Sequence, residues 1–169
     1  MPDYVIRQYQ PADVPALDEI IGQAWAPFFA MLEERMGPDL FRWVRGEDWR
    51  ATKLAEVTGL CEEHPEWCLV AECDGQVVGF VTFVIYSHRS LGEINNNSVS
   101  PAYQGRGIAK ALYRRVLEIF ENRGLRAAKV VTGTDEPFAA ARAAYEKIGF
   151  RPVLPHVEYY MPLPRAEGE

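Results

Sequence analysis

Apolar residues recur along this chain with two different periods, and the switch between them separates helices from strands. Tyr4 to Tyr9 sets Tyr4, Ile6 and Gln8 against Val5, Arg7 and Tyr9, which predicts a short first strand. Pro11-Ala12-Asp13 then opens a helix whose Val14, Leu17, Ile20, Ile21 and Ala24 fall at helical spacing. Residues 25–38 are crowded with Trp25, Phe28, Phe29, Met31 and Met36 and close on the breaker Gly37-Pro38. A second helical stretch is expected over Asp39 to Cys61, carrying Phe41, Trp43, Val44, Trp49, Leu54 and Val57.

Beyond it the period becomes strand-like. Trp67–Cys73 and Gln76–Tyr86 flank Asp74-Gly75, the pair a type I′ hairpin turn favours. Leu91–Val99 reads as another strand. An amphipathic helix follows, with Ile108, Ala111, Leu112, Val116, Ile119 and Phe120 in one stripe, and it stops at Gly124. Ala127–Val131 is a short strand. Pro137 starts a helix that turns Phe138, Ala141, Ala144, Tyr145 and Ile148 one way and ends at Gly149. Phe150–Leu154 and Val157–Met161 are expected as closing strands. The order is β-α-α-β-β-β-α-β-α-β-β, a mixed α/β domain over residues 1–163 with a flexible tail over 164–169.

Charge and composition narrow the partners. Acidic residues outnumber basic ones 24 to 18, a net −6, which argues against nucleic acid. The longest apolar run, Val77 to Tyr86, is too short to span a bilayer, and the first residues lack the basic and apolar regions of a signal peptide. A cytoplasmic protein with no membrane partner is expected. Cys61, Cys68 and Cys73 form no disulfide framework. With His64 they suggest a metal cluster, but Cys68 and Cys73 lie five apart on a strand and point to opposite faces, so no metal is expected.

The segment before the amphipathic helix carries the chemistry. A helix's first turn leaves four backbone N–H groups unpaired, and the helix dipole adds partial positive charge there. Gly105 and Gly107 allow close approach to those groups, and Arg106, Lys110, Arg114 and Arg115 add cations where a helix prefers acids. The combination suits a phosphate or pyrophosphate. The Walker pattern is absent, and the dinucleotide fingerprint fails because Lys110 stands at its third glycine. Taken alone, the two glycines could equally serve close packing.

The run Val99-Ser100-Pro101-Ala102-Tyr103-Gln104-Gly105-Arg106-Gly107-Ile108-Ala109 closely resembles motif A of the GCN5-related N-acetyltransferase (GNAT) superfamily, [QR]-x-x-G-x-[GA], with Gln104, Gly107 and Ala109 at its defined positions. Ala141 to Phe150, ending Tyr145-Glu146-Lys147-Ile148-Gly149-Phe150, resembles motif B. The element order is similar to that fold from end to end, which implies a mixed, mostly antiparallel sheet flanked by helices. The resemblance implies acetyl-CoA as cosubstrate and no metal. It puts the pyrophosphate against Gln104, Gly105, Arg106, Gly107, Ile108, Ala109 and Lys110, with carbonyl polarisation by main-chain N–H near Val99. It further implies acetyl transfer to a primary amine of a small molecule or peptide by direct attack in a ternary complex. A non-catalytic acyl-CoA-binding module is the alternative. Family members commonly dimerise, so a homodimer is consistent with the resemblance.

Two side chains are candidates for the proton transfers. Tyr145 shares the inward stripe of its helix; by resemblance to motif B its hydroxyl would protonate the leaving sulfur, whereas a core tyrosine bonded to a carbonyl is the plainer reading. Glu93 is the candidate base. Strict alternation puts Leu91, Glu93, Asn95, Asn97 and Val99 on one face, and asparagines are poor strand formers that need partners when buried. A solvated edge glutamate is the competing reading, and His88 is the second choice for the base. Asn95, Asn97, Phe28 and Phe29 are candidates for holding the acceptor; Trp25 and Trp43 could extend an aromatic wall, although plain core is the commoner use of such residues. Motif B commonly carries Asn seven residues before its Tyr, where this chain has Phe138.

Overall fold

A computed structural model describes residues 4–163; the tail expected over 164–169 lies outside the described residues. Five strands, β1 (Val5–Gln8), β2 (Cys68–Cys73), β3 (Gln76–Tyr86), β4 (Leu91–Val99) and β5 (Ala127–Val130), form one sheet in the order β1-β2-β3-β4-β5. The first three pairings are antiparallel and β4–β5 is parallel. The β2–β3 turn has φ of 49° at Asp74 and 77° at Gly75, both positive as a type I′ turn requires.

Between β1 and β2 the chain makes four helices rather than two: α1 (Val14–Ala24), α2 (Ala26–Met36), α3 (Pro38–Arg45) and α4 (Trp49–Glu63). Trp25, Gly37 and Gly46 punctuate them, and Asp48 caps α4 by accepting from the N–H of Arg50 and Ala51 at 2.9 and 3.1 Å. The parallel β4–β5 pair is joined by α5 (Ile108–Asn122), and α6 (Ala139–Lys147) follows β5. The two faces of the sheet bury separate clusters. Leu17, Ile21, Val57, Val70 and Phe80 lie under α1 and α4. Val81, Phe83, Ile94, Leu112, Val116, Phe120 and Tyr145 lie under α5 and α6.

Two expectations change. Phe150–Leu154 and Val157–Met161 form no strands: from Phe150 to Leu163 the chain has no regular structure, and Val153 and Tyr159 are 93% and 91% exposed. Pro152, Pro155 and Pro162 each remove a ladder donor from this stretch, and β5 pairs only with β4 among the described strands. The second change is a bulge. Val81 pairs with Asn97 but Phe83 pairs with Ile94, so β4 carries one extra residue opposite Thr82. The Thr82 hydroxyl donates to the Asn96 carbonyl and accepts from the Asn96 N–H at 3.0 Å, pinning the bulge.

Candidate active site

β4 and β5 are paired only from Leu91–Ala127 to Ile94–Val130, while β4 continues to Val99. Past Ile94 the strands therefore separate, and a cavity of about 660 Å³ occupies the gap. Asn95, Asn97 and Val99 line its β4 side, and Val131 and Thr132 its other side. Its far walls are the glycine turn with the start of α5, one face of α6, and Trp25 and Phe28.

The turn has the backbone of a cradle. Gly105 and Gly107 have φ of 78° and 82°, a region that disfavours side chains, and a Cβ at either would meet nothing within 4 Å. The amides of Ile108, Ala109 and Lys110 precede the first helical bond, which runs from Ala111 N–H to the Gly107 carbonyl at 3.0 Å. Gln104 holds the turn against β4 by donating its side-chain amide to the Val99 carbonyl at 3.1 Å. Ser100 N–H bonds back to Val78 on β3, so by strand alternation the Val99 N–H faces away from β3 with its carbonyl. Lys110 lines the cavity; Arg106 lies outside the lining, its guanidinium 4.9 Å from the centre of the Tyr103 ring.

Tyr145 is buried where α6 meets α5. Its hydroxyl accepts from the Asn97 side-chain amide at 2.9 Å, and the Asn97 carbonyl oxygen accepts from the Tyr113 hydroxyl at 2.6 Å. Both phenols line the cavity. Burial, above all, raises the pKa of each, so both stay protonated at neutral pH. Tyr113 is the functional candidate that sequence reading passed over. Its spacing from Ala109 and Val116 put it on the inner stripe of α5, which was the available signal.

The bulge overturns the expected alternation of β4. Ile94, Asn97 and Val99 face α5 and α6, and Glu93 faces the other way, where it is ion-paired with Lys129 at 3.0 Å. Glu93 is not among the cavity's lining residues, and His88 sits in the short 3-10 turn Ser87–Arg89 between β3 and β4, also away from the lining. Among the described residues no carboxylate or imidazole lines the cavity. Phe28 lines it, but Phe29 is buried behind, stacked on Trp49 at 4.4 Å. Phe138, standing where motif B commonly carries Asn, packs against Phe28 with ring centres 5.0 Å apart. Arg35 reinforces that contact by pairing with Asp135 at 2.8 Å. Trp25 donates its indole N–H to the Ser98 hydroxyl at 2.7 Å, tying the α1–α2 junction to β4.

The sequence model of the Acetyltransferase (GNAT) family matches residues 20–150. The chain belongs to that family. N-acetylaspartate synthetase of Rattus norvegicus is 37% identical over 112 residues, covering 66% of this chain and 37% of the relative. Mycothiol acetyltransferase of Beutenbergia cavernae is 35% identical over 97 residues, 57% of this chain and 31% of the relative. The chain thus spans about a third of the length of these GNAT relatives. The crystal structure of PaiA N-acetyltransferase from Thermoplasma acidophilum, solved with coenzyme A, superposes with a TM-score of 0.66 at 19% identity, covering 88% of this chain and 89% of that one.

Proposed function

We propose that this GNAT protein is an acetyl-CoA-dependent N-acetyltransferase acting on a primary amine of a small molecule or peptide. The observation that carries the reading is the convergence, on one cavity, of the glycine turn, the separated β4–β5 edge and the buried Tyr145 hydroxyl. The residues present fit the cosubstrate: the positive-φ turn leaves unpaired amides open for a pyrophosphate, and Lys110 adds a cation beside them. Bound acetyl-CoA would supply an acyl thioester.

The chain's own groups then have distinct tasks. The Val99 N–H faces away from β3 toward the gap, where a carbonyl oxygen gaining charge needs a donor. Tyr145 gives its proton to the sulfur as the amine nitrogen forms the C–N bond and the C–S bond breaks. The amine's surplus proton goes to water, and Tyr145 recovers one from water, so the balance is amide plus free CoA thiol. Among the described residues no carboxylate or imidazole lines the cavity, so the amine loses its proton to water, directly or through a water chain. Trp25, Phe28 and Phe138 form an apolar wall that favours the neutral amine. We place the protein in the cytoplasm; no described helix is long and apolar enough to cross a membrane.

Thermal unfolding with coenzyme A, ATP and NAD tests the ligand, since a ligand at 100 times its Kd stabilises by about 2.7 kcal/mol. Coenzyme A alone is expected to shift the transition. Release of CoA thiol is then followed across an amine panel that includes aspartate, the acceptor suggested by the name of the N-acetylaspartate synthetases. Acceptor-dependent release supports the enzyme; tight binding without release for any amine supports an acyl-CoA-binding module instead.

A further inference from the structure

A site for a charged ligand keeps an opposite charge, or an open aromatic face, available for it. The aromatic wall of the cavity, Trp25, Phe28 and Phe138, has neither. Asp135, in the turn before α6, pairs with Arg35 at 2.8 Å. Glu93, two residues before Asn95 on β4, pairs with Lys129 at 3.0 Å. Glu56 pairs with Lys53 at 2.9 Å, and the Lys53 ammonium lies 4.4 Å from the centre of the Trp25 ring, so that ring already holds a cation. Glu136 is exposed and does not line the cavity. The Phe28 ring packs among Trp25, Phe29 and Phe138 with centres 5.9, 5.0 and 5.0 Å away.

The wall offers an anion no better welcome. Arg35, Lys53 and Lys129 are the cations of those same pairs, and Arg142 is turned to the Gly133 and Asp135 carbonyls, both at 2.8 Å. Lys110 does line the cavity, but beside the glycine turn, and Lys147 ends α6 nine residues from Phe138, about 13 Å along the helix. Phe138 itself is seated firmly: a Cβ on Gly133 would come within 2.5 Å of its ring, so the glycine makes room for it.

We propose that the acceptor is a monoamine on an uncharged apolar body, alkyl or aryl, and that polyamines, aminoglycosides and amino dicarboxylates such as aspartate are poor acceptors. The inference rests on the acetyl-CoA reading above and narrows its primary amine to one chemical class. The apolar body packs against Phe28 and Phe138; a second ammonium or a carboxylate on that wall loses water and gains no partner.

The test compares amines of matched length. CoA thiol release is measured with hexylamine, 1,5-diaminopentane and 5-aminopentanoate, and with 2-phenylethylamine, spermidine and aspartate beside them. An unpartnered charge costs at least a factor of about ten, so kcat/KM for hexylamine and 2-phenylethylamine is expected to exceed that of each charged amine tenfold or more. Phe28→Asp places a carboxylate on the wall and should shrink the preference for hexylamine over 1,5-diaminopentane at least tenfold, whereas Phe28→Leu should keep it. Thermal unfolding and coenzyme A affinity of both variants separate a folding defect from altered choice. Failure of coenzyme A to bind the wild type would sink the acetyl-CoA reading and this proposal together. Binding without release from any amine would sink the enzyme reading and the proposal, leaving a coenzyme A-binding module. Release with a diamine, spermidine or an amino acid as fast as with hexylamine, or a preference unchanged in Phe28→Asp, would overturn the proposal alone.

Discussion

The Tyr145 hydroxyl and the Gly107 backbone make opposite demands on their residues, one for a particular atom and the other for the lack of one. Tyr145→Phe removes a proton donor while keeping the ring packed against Tyr113 and Phe150. General-acid contributions run about 10²–10⁴-fold, so kcat is expected to fall by roughly 10²-fold or more while the KM for acetyl-CoA moves less than about threefold. Steady-state kinetics on whichever amine the screen yields will show whether the loss sits in kcat. Gly107→Ala forces a side chain to φ of 82°, which costs about 1–2 kcal/mol in the left-handed region. It leaves the cavity's side chains in place, so its expected signature is a lower melting temperature together with weaker coenzyme A binding. The placement of both residues could be read from sequence because their neighbours along the chain define it: a glycine turn ahead of an apolar stripe, and a tyrosine within one. Tyr113 could not be assigned a role that way, because its partner Asn97 is brought to it only by the sheet.

Among the elements, β4 shows where sequence periodicity stops being a guide. Alternation is a rule for an unbroken strand, and one inserted residue inverts it. Leu91 to Ile94 obey the expected alternation; Asn97 and Val99 fall on the opposite side from Glu93 because Asn95 and Asn96 together face Thr82. Three successive asparagines marked the place as unusual without saying which way the strand would turn. Helix boundaries failed for a related reason: the break at Gly37-Pro38 is legible, but apolar content runs on through residues 39–61, so Gly46 and the Asp48 cap subdivide what looks like one stretch. That cap gives a direct check. Asp48→Ala exposes the Arg50 and Ala51 amides at the start of α4 and is expected to cost about 1 kcal/mol by urea denaturation. Gly92→Ala is a harsher change. Its Cβ would collide with the Phe120 ring where β4 meets α5, so a loss of about 2 kcal/mol is expected, with the protein still binding coenzyme A weakly if the cradle survives.

At the scale of the molecule, ionisable groups buried on folding set the pH range over which the sheet and helices hold together. Arg7 on β1 donates to both Asp13 oxygens at 2.8 Å and to Glu72 on β2 at 2.7 Å, joining the first strand to its neighbour and to the entry of α1. Burial works to raise the Asp13 carboxyl, but Arg7 and the Gln10 N–H outweigh it and hold the group below the usual carboxylate range. A depressed folded pKa means that this stability is present above the unfolded value and fades as pH falls through about 4. The alkaline side runs the other way. Tyr9 is pushed up to about 12, mainly by burial, and Tyr113 and Tyr145 are raised for the same reason. Unfolded tyrosines ionise near 10, so above that pH the unfolded chain releases protons that the folded one retains. Their contribution is therefore complete below pH 10 and declines as pH climbs toward 12, each such tyrosine steepening the loss by about 1.4 kcal/mol per pH unit. Urea denaturation midpoints from pH 3 to 11 should form a plateau with a fall at both ends. Tyr9→Phe should make the alkaline fall shallower without touching the acid limb; Asp13→Asn should flatten the acid limb and trim the alkaline fall only slightly, because the Asp13 charge helps to raise Tyr9. A single variant that moved both limbs to the same extent would show that the two ends report one global event rather than these separate groups.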